Sequence, residues 1–136
     1  MKRLGFIALL LMCCMGCGKT GDVVPNVGVS LQVVLADPRF NAIKNIGGAV
    51  EVNGYGVAGI IIYRSPYGYV AYDRCSSYQP ANRCAITLDN PSLTATDPCS
   101  GSKFSMTDGT PVKAPATRSL KQYSVTSTQF ELYVSN

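Results

Sequence analysis

The sequence contains no histidine among its 136 residues. Without an imidazole, catalytic arrangements of the Ser-His or Cys-His type are excluded, and so is every metal site that needs a histidine ligand. Glutamate is scarce as well, because only Glu51 and Glu131 supply it and both fall in segments with strand character. The sequence therefore gives no support for a hydrolase.

Aspartate is the remaining source of carboxylates. A paired-carboxylate site could be built from Asp73, Asp89, Asp97 or Asp108. An aspartate beside glycine or proline ordinarily caps a turn, however, and we favour that role here. The glycine-rich segment 47–56 precedes a strand rather than a helix, so it lacks the helix N-terminus that would hold a phosphate. We predict that the protein is not an enzyme.

A short basic and then apolar stretch opens the sequence. Two basic residues precede the apolar segment 6–15, which is too short to span a bilayer stably, so residues 1–16 are predicted to be a secretory signal peptide. Gly16 before Cys17 resembles the end of a bacterial lipobox, in which cleavage precedes the cysteine and a lipid is attached to its sulfur. Cys17 is the expected lipidation site. An ordinary signal peptide cut elsewhere is the alternative.

Removal of the signal peptide would change the net charge of the mature chain. It would take away Lys2 and Arg3 and so lower the net charge from +4 to +2. A charge that small, with scattered basic residues, does not indicate a nucleic-acid partner. The expected location is the bacterial envelope, with the lipid anchor in a membrane and the protein facing the periplasm or the cell surface. Disulfides can form there.

The cysteines downstream of the signal peptide are odd in number. Cys75, Cys84 and Cys99 remain for a folded domain, which predicts one disulfide and one free thiol.

Alternating apolar residues and frequent turn signals predict strands along the rest of the chain. Residues 17–28 lack periodicity and are interpreted as a tether. Segment 29–35 places its odd-numbered apolar residues on one face, as in a half-buried strand. The isoleucine run in 58–64 suits a central strand, and Ser-Pro-Tyr-Gly at 65–68 predicts a tight turn. Further strand-like segments are 47–53, 69–73, 84–89, 92–97, 102–108, 119–125 and 130–136.

These strands predict a single all-β domain over residues 29–136. No segment has a helical apolar stripe longer than two turns, although a helical turn is expected around Phe40. Short strands with turn signals roughly every ten residues are typical of a small antiparallel β-barrel or sandwich.

Residues 97–123 resemble the second half of a Rieske [2Fe–2S] domain. That family's second cluster-binding box reads C-x-x-H-G-S-x-F, and a glycine turn and a proline-containing loop follow it. The matching residues are Gly101, Ser102, Phe104, Gly109, Pro115, Ala116, Leu120 and Tyr123. Upstream, residues 69–79 resemble the strand and the first box, C-x-H. The resemblance covers about residues 29–136 and implies a Rieske-like fold with a cluster-loop subdomain.

The resemblance also identifies which residues stand at the cluster-ligand positions. In register, these four ligand positions fall on Cys75, Ser77, Asp97 and Ser100. A Rieske cluster needs two thiolates on one iron and two imidazoles on the other. Only Cys75 is a family ligand, so the positions are interpreted as vacated, with no metal and no cofactor expected.

A disulfide is a second implication of the resemblance. Cys99 occupies the place that holds a disulfide cysteine in Rieske proteins of the respiratory type, and Cys84 is the natural partner by analogy. The pair Cys75–Cys99 competes with it, and Cys75–Cys84 ranks last.

The expected function is that of a cluster-free, lipid-anchored binding or structural module. The rim of the two former cluster loops would present Tyr78, Pro98, Lys103 and Pro115 to an unknown protein partner.

The alternative is an iron–sulfur or other metal-dependent electron-transfer protein with altered ligands. Cys75, Cys84, Cys99 and Asp97 could form a site with three thiolates and one carboxylate. That site requires reduced thiols, which an oxidising compartment disfavours.

Overall fold

The computed structural model describes residues 23–136, so the predicted signal peptide and Cys17 lie outside the described residues. In this part of the chain no helix is long and apolar enough to cross a membrane. The strands are β1 (Ser30–Val34), β2 (Ala49–Val52), β3 (Ile60–Ser65), β4 (Gly68–Asp73), β5 (Thr87–Leu88), β6 (Thr94–Thr96), β7 (Lys103–Ser105), β8 (Pro111–Lys113), β9 (Gln122–Ser127) and β10 (Glu131–Ser135). Two short 3-10 helices cover Pro38–Lys44 and Pro80–Asn82.

Two antiparallel sheets make up the fold, as the all-β prediction required. The larger sheet has the strand order β1-β10-β9-β4-β3-β2, and the smaller sheet has the order β5-β6-β7-β8. The chain leaves the large sheet at the end of β4, builds the whole small sheet, and returns at β9, which pairs with β4. The small sheet is therefore the predicted cluster-loop subdomain.

The isoleucine run in β3 is continuous because both faces of this strand are covered. Ile60 and Ile62 are fully buried in a core that also contains the inward residues of β1, Leu31 and Val33. Ile61 points to the other side and is fully buried in a second core. A strand buried on both faces reads as an unbroken apolar run, whereas β1, which is buried on one face, alternates.

The second core joins the small sheet to the large one. Phe104 and Met106 from the small-sheet region pack with Tyr72 of β4, and all three are fully buried. The Tyr72 hydroxyl donates a hydrogen bond to the backbone carbonyl of Met106 at 3.2 Å. This shared core fixes the position of the cluster-loop subdomain against β3 and β4.

Strand β8 was not predicted from the sequence. It is short, begins with Pro111 and lies at the edge of the small sheet, where a proline that cannot donate a ladder hydrogen bond is tolerated. The predicted strand over 84–89 is also reduced to Thr87–Leu88.

The described part of the predicted tether is docked on the domain. Val24 is buried, and the Lys121 ammonium donates hydrogen bonds to the Pro25 carbonyl at 3.1 Å and to Asn26 Oδ1 at 2.7 Å. Asn136 Nδ2 donates to Asn26 Oδ1 at 3.0 Å. Segment 23–28 has no regular secondary structure, yet side chains of the domain hold it in place.

The carboxylate of Asp73, at the end of β4, is fully buried and receives four hydrogen bonds. Its Oδ2 accepts from the backbone N–H of Val57 and from the Tyr123 hydroxyl, each at 2.7 Å. Its Oδ1 accepts from the N–H of Cys75 at 2.8 Å and of Ala58 at 3.2 Å. One carboxylate thus joins the β2–β3 loop, the start of the loop that follows β4, and β9. The sequence predicted that Asp73 caps a turn, whereas its carboxylate links three separate segments of the chain.

Replacement of Gly56 by alanine should destabilise the protein through this carboxylate. Gly56 has φ +64°, and an added Cβ would collide with Asp73 Oδ2 and lie 2.8 Å from the Tyr123 hydroxyl. Gly54 has φ +87° and open space around its Cβ position, so Gly54→Ala is the matched control for backbone strain alone. In urea unfolding, we expect Gly56→Ala to lose about 2 kcal/mol more than Gly54→Ala. Equal losses would contradict this packing.

Candidate functional site at the two loops

Two loops of the cluster-loop subdomain meet at one end of the molecule. The first runs from Arg74 to Ile86 between β4 and β5, and the second covers 97–102 between β6 and β7. A disulfide between Cys84 and Cys99 joins them, with a Cα–Cα distance of 6.4 Å and a sequence separation of 15. This is the pair that the resemblance implied, and neither competing pair is formed. Closing an interval of this length stabilises a fold by roughly 3 kcal/mol.

Cys75 is the only family ligand type among the four ligand positions, and it is a buried free thiol. Its backbone pairs with Ala85 in an isolated bridge, and its Sγ lies 3.6 Å from the Pro80 carbonyl oxygen, to which it donates. Burial, followed by the nearby charge of Asp73, raises the pKa of the thiol to about 11. The Cys75 side chain is therefore a protonated thiol at neutral pH.

Ser77 forms a hydrogen bond to another loop. Its hydroxyl donates to the backbone carbonyl of Arg118 at 2.6 Å. A short hydroxyl–carbonyl bond of this kind anchors the first loop to the proline-containing segment 114–118. At this ligand position the side chain links two loops.

Asp97 and Ser100 bond to each other across the second loop. The Ser100 hydroxyl donates to Asp97 Oδ2 at 2.7 Å, and the N–H groups of Cys99 and Ser100 donate to Oδ1 at 2.8 and 3.3 Å. Asp97 is only 1% exposed. Burial raises its pKa, but the hydrogen bonds from Ser100, Ser76 and the backbone outweigh burial, and the net pKa is lowered. The carboxylate is ionised at neutral pH and holds the loop closed.

Ser102 extends this network to the proline-containing segment. It is fully buried, lies 2.9 Å from the Ser100 hydroxyl oxygen, and accepts a hydrogen bond from the N–H of Ala116 at 3.0 Å. Ser102 and Ala116 both match the Rieske pattern, and the hydrogen bond between them joins the second loop to the proline-containing segment.

These residues do not fit a Rieske [2Fe–2S] cluster. The donor set at the four ligand positions is one thiol, two hydroxyls and one carboxylate, in a chain without histidine, whereas a Rieske cluster needs two thiolates and two imidazoles. Across residues 23–136, every buried side-chain nitrogen or oxygen has a hydrogen-bond partner. No such atom is therefore left over to bind a missing group. The polar groups satisfy one another instead.

A polar cavity of about 290 Å³ opens between the two loops. Its lining residues are Tyr78, Gln79, Asn82, Cys84, Asp97, Cys99, Ser100 and Pro115. Two residues of the predicted rim, Tyr78 and Pro115, therefore lie at one opening, and exposed Pro98 is adjacent to Cys99 in the chain. Lys103 differs, because it lies on β7 and its ammonium pairs with Asp89 at 3.2 Å.

A larger, mostly apolar cavity of about 360 Å³ lies between the docked segment and the first loop. It is lined by Val23, Val24, Asn26, Ser77, Pro80, Arg118, Ser119 and Lys121. The first described residues of the chain therefore lie beside the cluster-type loops.

The structure brings together only part of the predicted alternative metal site. The Sγ atoms of Cys84 and Cys99 and a carboxylate oxygen of Asp97 all lie within 4.8 Å of one another. Cys75 is outside this group. The arrangement of three thiolates and one carboxylate is not assembled.

Solved structures share this architecture. The plasma membrane Rieske protein PetC3 from Synechocystis PCC 6803 has a TM-score of 0.54 and 19% identity, and the alignment covers 82% of this chain and 100% of that one. The chain has a Rieske-like fold. A chain of the complex of reduced oxygenase and oxidised ferredoxin in carbazole 1,9a-dioxygenase has a TM-score of 0.52 and 24% identity, covering 76% of this chain and 99% of that one.

A third structure with this fold is the ferredoxin of carbazole 1,9a-dioxygenase from Nocardioides aromaticivorans IC177. It has a TM-score of 0.50 and 16% identity, over 80% of this chain and 97% of that chain. No protein-family model and no curated protein sequence matches the chain. At these identities the likeness concerns the Rieske-like fold.

Sequence reasoning missed two of the residues that hold the first loop in this Rieske-like domain. Asp73 fixes the N–H of Cys75, and the Ser76 side chain bonds to Asp97 of the second loop. For Asp73, the available signal was an acidic residue at the end of an apolar strand, directly before the first box. For Ser76 no signal existed, because its partner is distant in sequence.

Substitution of Asp97 by asparagine should make the protein less stable in a pH-dependent way. The folded pKa of Asp97 is lowered, so its contribution is complete above the unfolded-state pKa of about 3.9 and is lost as the pH falls through the folded pKa. Loss of the charged hydrogen bonds should cost about 2 kcal/mol at pH 7. Urea unfolding of both proteins from pH 7 to pH 2.5 measures the difference.

Asp108→Asn is the control, because Asp108 is an exposed carboxylate with two similar local bonds to Thr110. It should change stability at pH 7 by under about 1 kcal/mol. A difference for Asp97→Asn that stays constant over the pH range would contradict the role of the ionised carboxylate.

Proposed function

We propose that this protein is a lipid-anchored Rieske-like domain of the bacterial envelope that has lost the [2Fe–2S] cluster and acts as a binding module. One observation carries the proposal. Ser77, Asp97 and Ser100 are already engaged within the protein, with hydrogen bonds of 2.6 and 2.7 Å. The interactions that hold the two loops are thus made by side chains, with no metal required.

The disulfide between the two loops supports a binding role. The disulfide fixes the two loops against each other, and a rigid, preorganised surface loses little conformational entropy when a partner binds. Tyr78 and Pro115 are at least partly exposed at the cavity opening, and an aromatic ring of this kind is a common anchor at protein interfaces.

Anchoring at Cys17 would keep this surface near the membrane. Val23 is six positions after Cys17, and six extended residues span at most about 20 Å. Val23 lines the same cavity as Ser77 and Pro80 of the first loop. The fitting partner is therefore a protein embedded in the membrane or lying on it.

Electron transfer with altered ligands is the weaker alternative. It needs Cys75 beside Cys84, Cys99 and Asp97, but Cys75 lies outside that group and the other two cysteines share a disulfide. We propose no catalytic activity for the domain.

Photo-crosslinking in intact bacteria tests the proposed surface. A p-benzoylphenylalanine in place of Tyr78 should form an adduct with a membrane protein, because this ring lies at the opening of the polar cavity. Tyr67 is the matched control, since it is 95% exposed and lies in the β3–β4 turn, at the end of β4 opposite Asp73. The Tyr67 position should give no such adduct.

A variant in which an ordinary cleavable signal peptide replaces residues 1–17, so that the exported chain begins at residue 18 without Cys17, separates the anchor from the surface in the same cells. The variant should move from the membrane fraction to the soluble fraction and lose the adduct at position 78. A variant that stays in the membrane fraction would contradict the lipid anchor. Equal adducts from positions 67 and 78, or none from 78, would contradict the surface.

A further inference from the structure

The disulfide between the two loops lies beside an ionised, buried carboxylate. The Sγ atoms of Cys84 and Cys99 and one oxygen of Asp97 lie within 4.8 Å of one another. Within residues 23–136, this is the only place where three such donors converge. It lies where the two loops meet, since Cys84 belongs to the first loop and the other two residues to the second. Thiolate and carboxylate groups are both zinc ligands in proteins.

The same three residues face solvent through the polar cavity. Cys84, Asp97 and Cys99 are all among its lining residues, and Cys99 is exposed. A small dithiol, or the active-site dithiol of a thioredoxin-type protein, can therefore reach the Cys99 sulfur. The cavity volume of about 290 Å³ also leaves room for water beside the three donors.

Asp97 is held in place independently of the disulfide. Its Oδ1 accepts a hydrogen bond from the N–H of Cys99 at 2.8 Å, and its Oδ2 accepts one from the Ser100 hydroxyl at 2.7 Å. The carboxylate is therefore fixed next to the backbone of one of the two cysteines. The carboxylate also accepts hydrogen bonds from the N–H of Ser100 at 3.3 Å and from the Ser76 side chain, and a metal ion that binds one of its oxygens takes the place of one of these further hydrogen bonds.

We propose that reduction of the Cys84–Cys99 disulfide by a dithiol opens a zinc-binding site made of Cys84, Cys99 and Asp97. The S–S bond breaks, two electrons and two protons pass to the two sulfurs, and the dithiol becomes a disulfide. On binding Zn²⁺ the two thiols release their protons to solvent. A water molecule from the cavity takes the fourth position.

The donor set and spacing favour zinc or another soft divalent ion over calcium or magnesium, which prefer oxygen ligands. With Zn–S bonds of about 2.3 Å, the two sulfurs of a tetrahedral site lie roughly 3.8 Å apart. The Cα–Cα distance of 6.4 Å allows this separation through side-chain rotation alone. The site leaves out Cys75 and shares only Asp97 with the four ligand positions, so it rests on the proposed absence of a cluster there.

Anaerobic metal titration of the full mature chain tests the proposal. The protein is prepared oxidised and after reduction with dithiothreitol that is then removed, and each form is titrated with Zn²⁺ against a chromophoric chelator. The reduced form should bind one equivalent at least about 100-fold more tightly than the oxidised form. Co²⁺ in place of Zn²⁺ should give thiolate-to-cobalt charge-transfer bands.

Variants and alkylation identify the ligands. Cys99→Ser and Asp97→Asn should each weaken binding by the reduced form by at least about tenfold, whereas Asp108→Asn, at an exposed carboxylate outside the group, should leave it unchanged. Alkylation of the reduced wild-type thiols with iodoacetamide should abolish binding and needs no variant to fold. Equal Zn²⁺ affinity of the oxidised and reduced forms, or unchanged binding after alkylation, would overturn the proposal.

Discussion

The buried carboxylate of Asp73 is the interaction on which the arrangement of the molecule depends. It lies at the point where the chain leaves the large sheet, and it accepts hydrogen bonds from the β2–β3 loop, from Tyr123 of β9 and from the N–H of Cys75. A buried carboxyl group is costly unless hydrogen bonds satisfy it, so the three segments must stay in register around it. The first cluster-type loop therefore starts from a fixed point.

A second buried carboxylate explains how the loops keep their form without the family's metal ligands. Asp97 and Ser100 occupy two ligand positions and bond to each other, while Ser77 bonds to the Arg118 carbonyl. Hydrogen bonds and one disulfide thus supply the cross-links between loops. The Rieske-like backbone is compatible with a quite different chemistry at its loop end.

The sequence predicted the fold well where burial produces a local pattern. The alternation in 29–35 correctly predicted β1, and the isoleucine run correctly predicted the central strand β3. Gly101 and Ser102 correctly indicated the second loop. The sequence could not predict β8, whose proline is tolerated because the strand lies at the edge of the small sheet. It also could not predict the burial of Asp73, because the donors come from Val57 and Tyr123, which are distant in the chain. The docking of segment 23–28 depends on Lys121 and Asn136 and leaves no periodic trace.

We propose that the loop end of this Rieske-like domain, which is held by its own side chains, carries no cluster. Iron, zinc and acid-labile sulfide analysis of the protein, purified anaerobically from its native cells, tests this proposal most directly. With the disulfide intact, the account predicts none of the three at stoichiometric levels, and one free thiol, that of Cys75, after denaturation. Two irons and two sulfides per chain would contradict it.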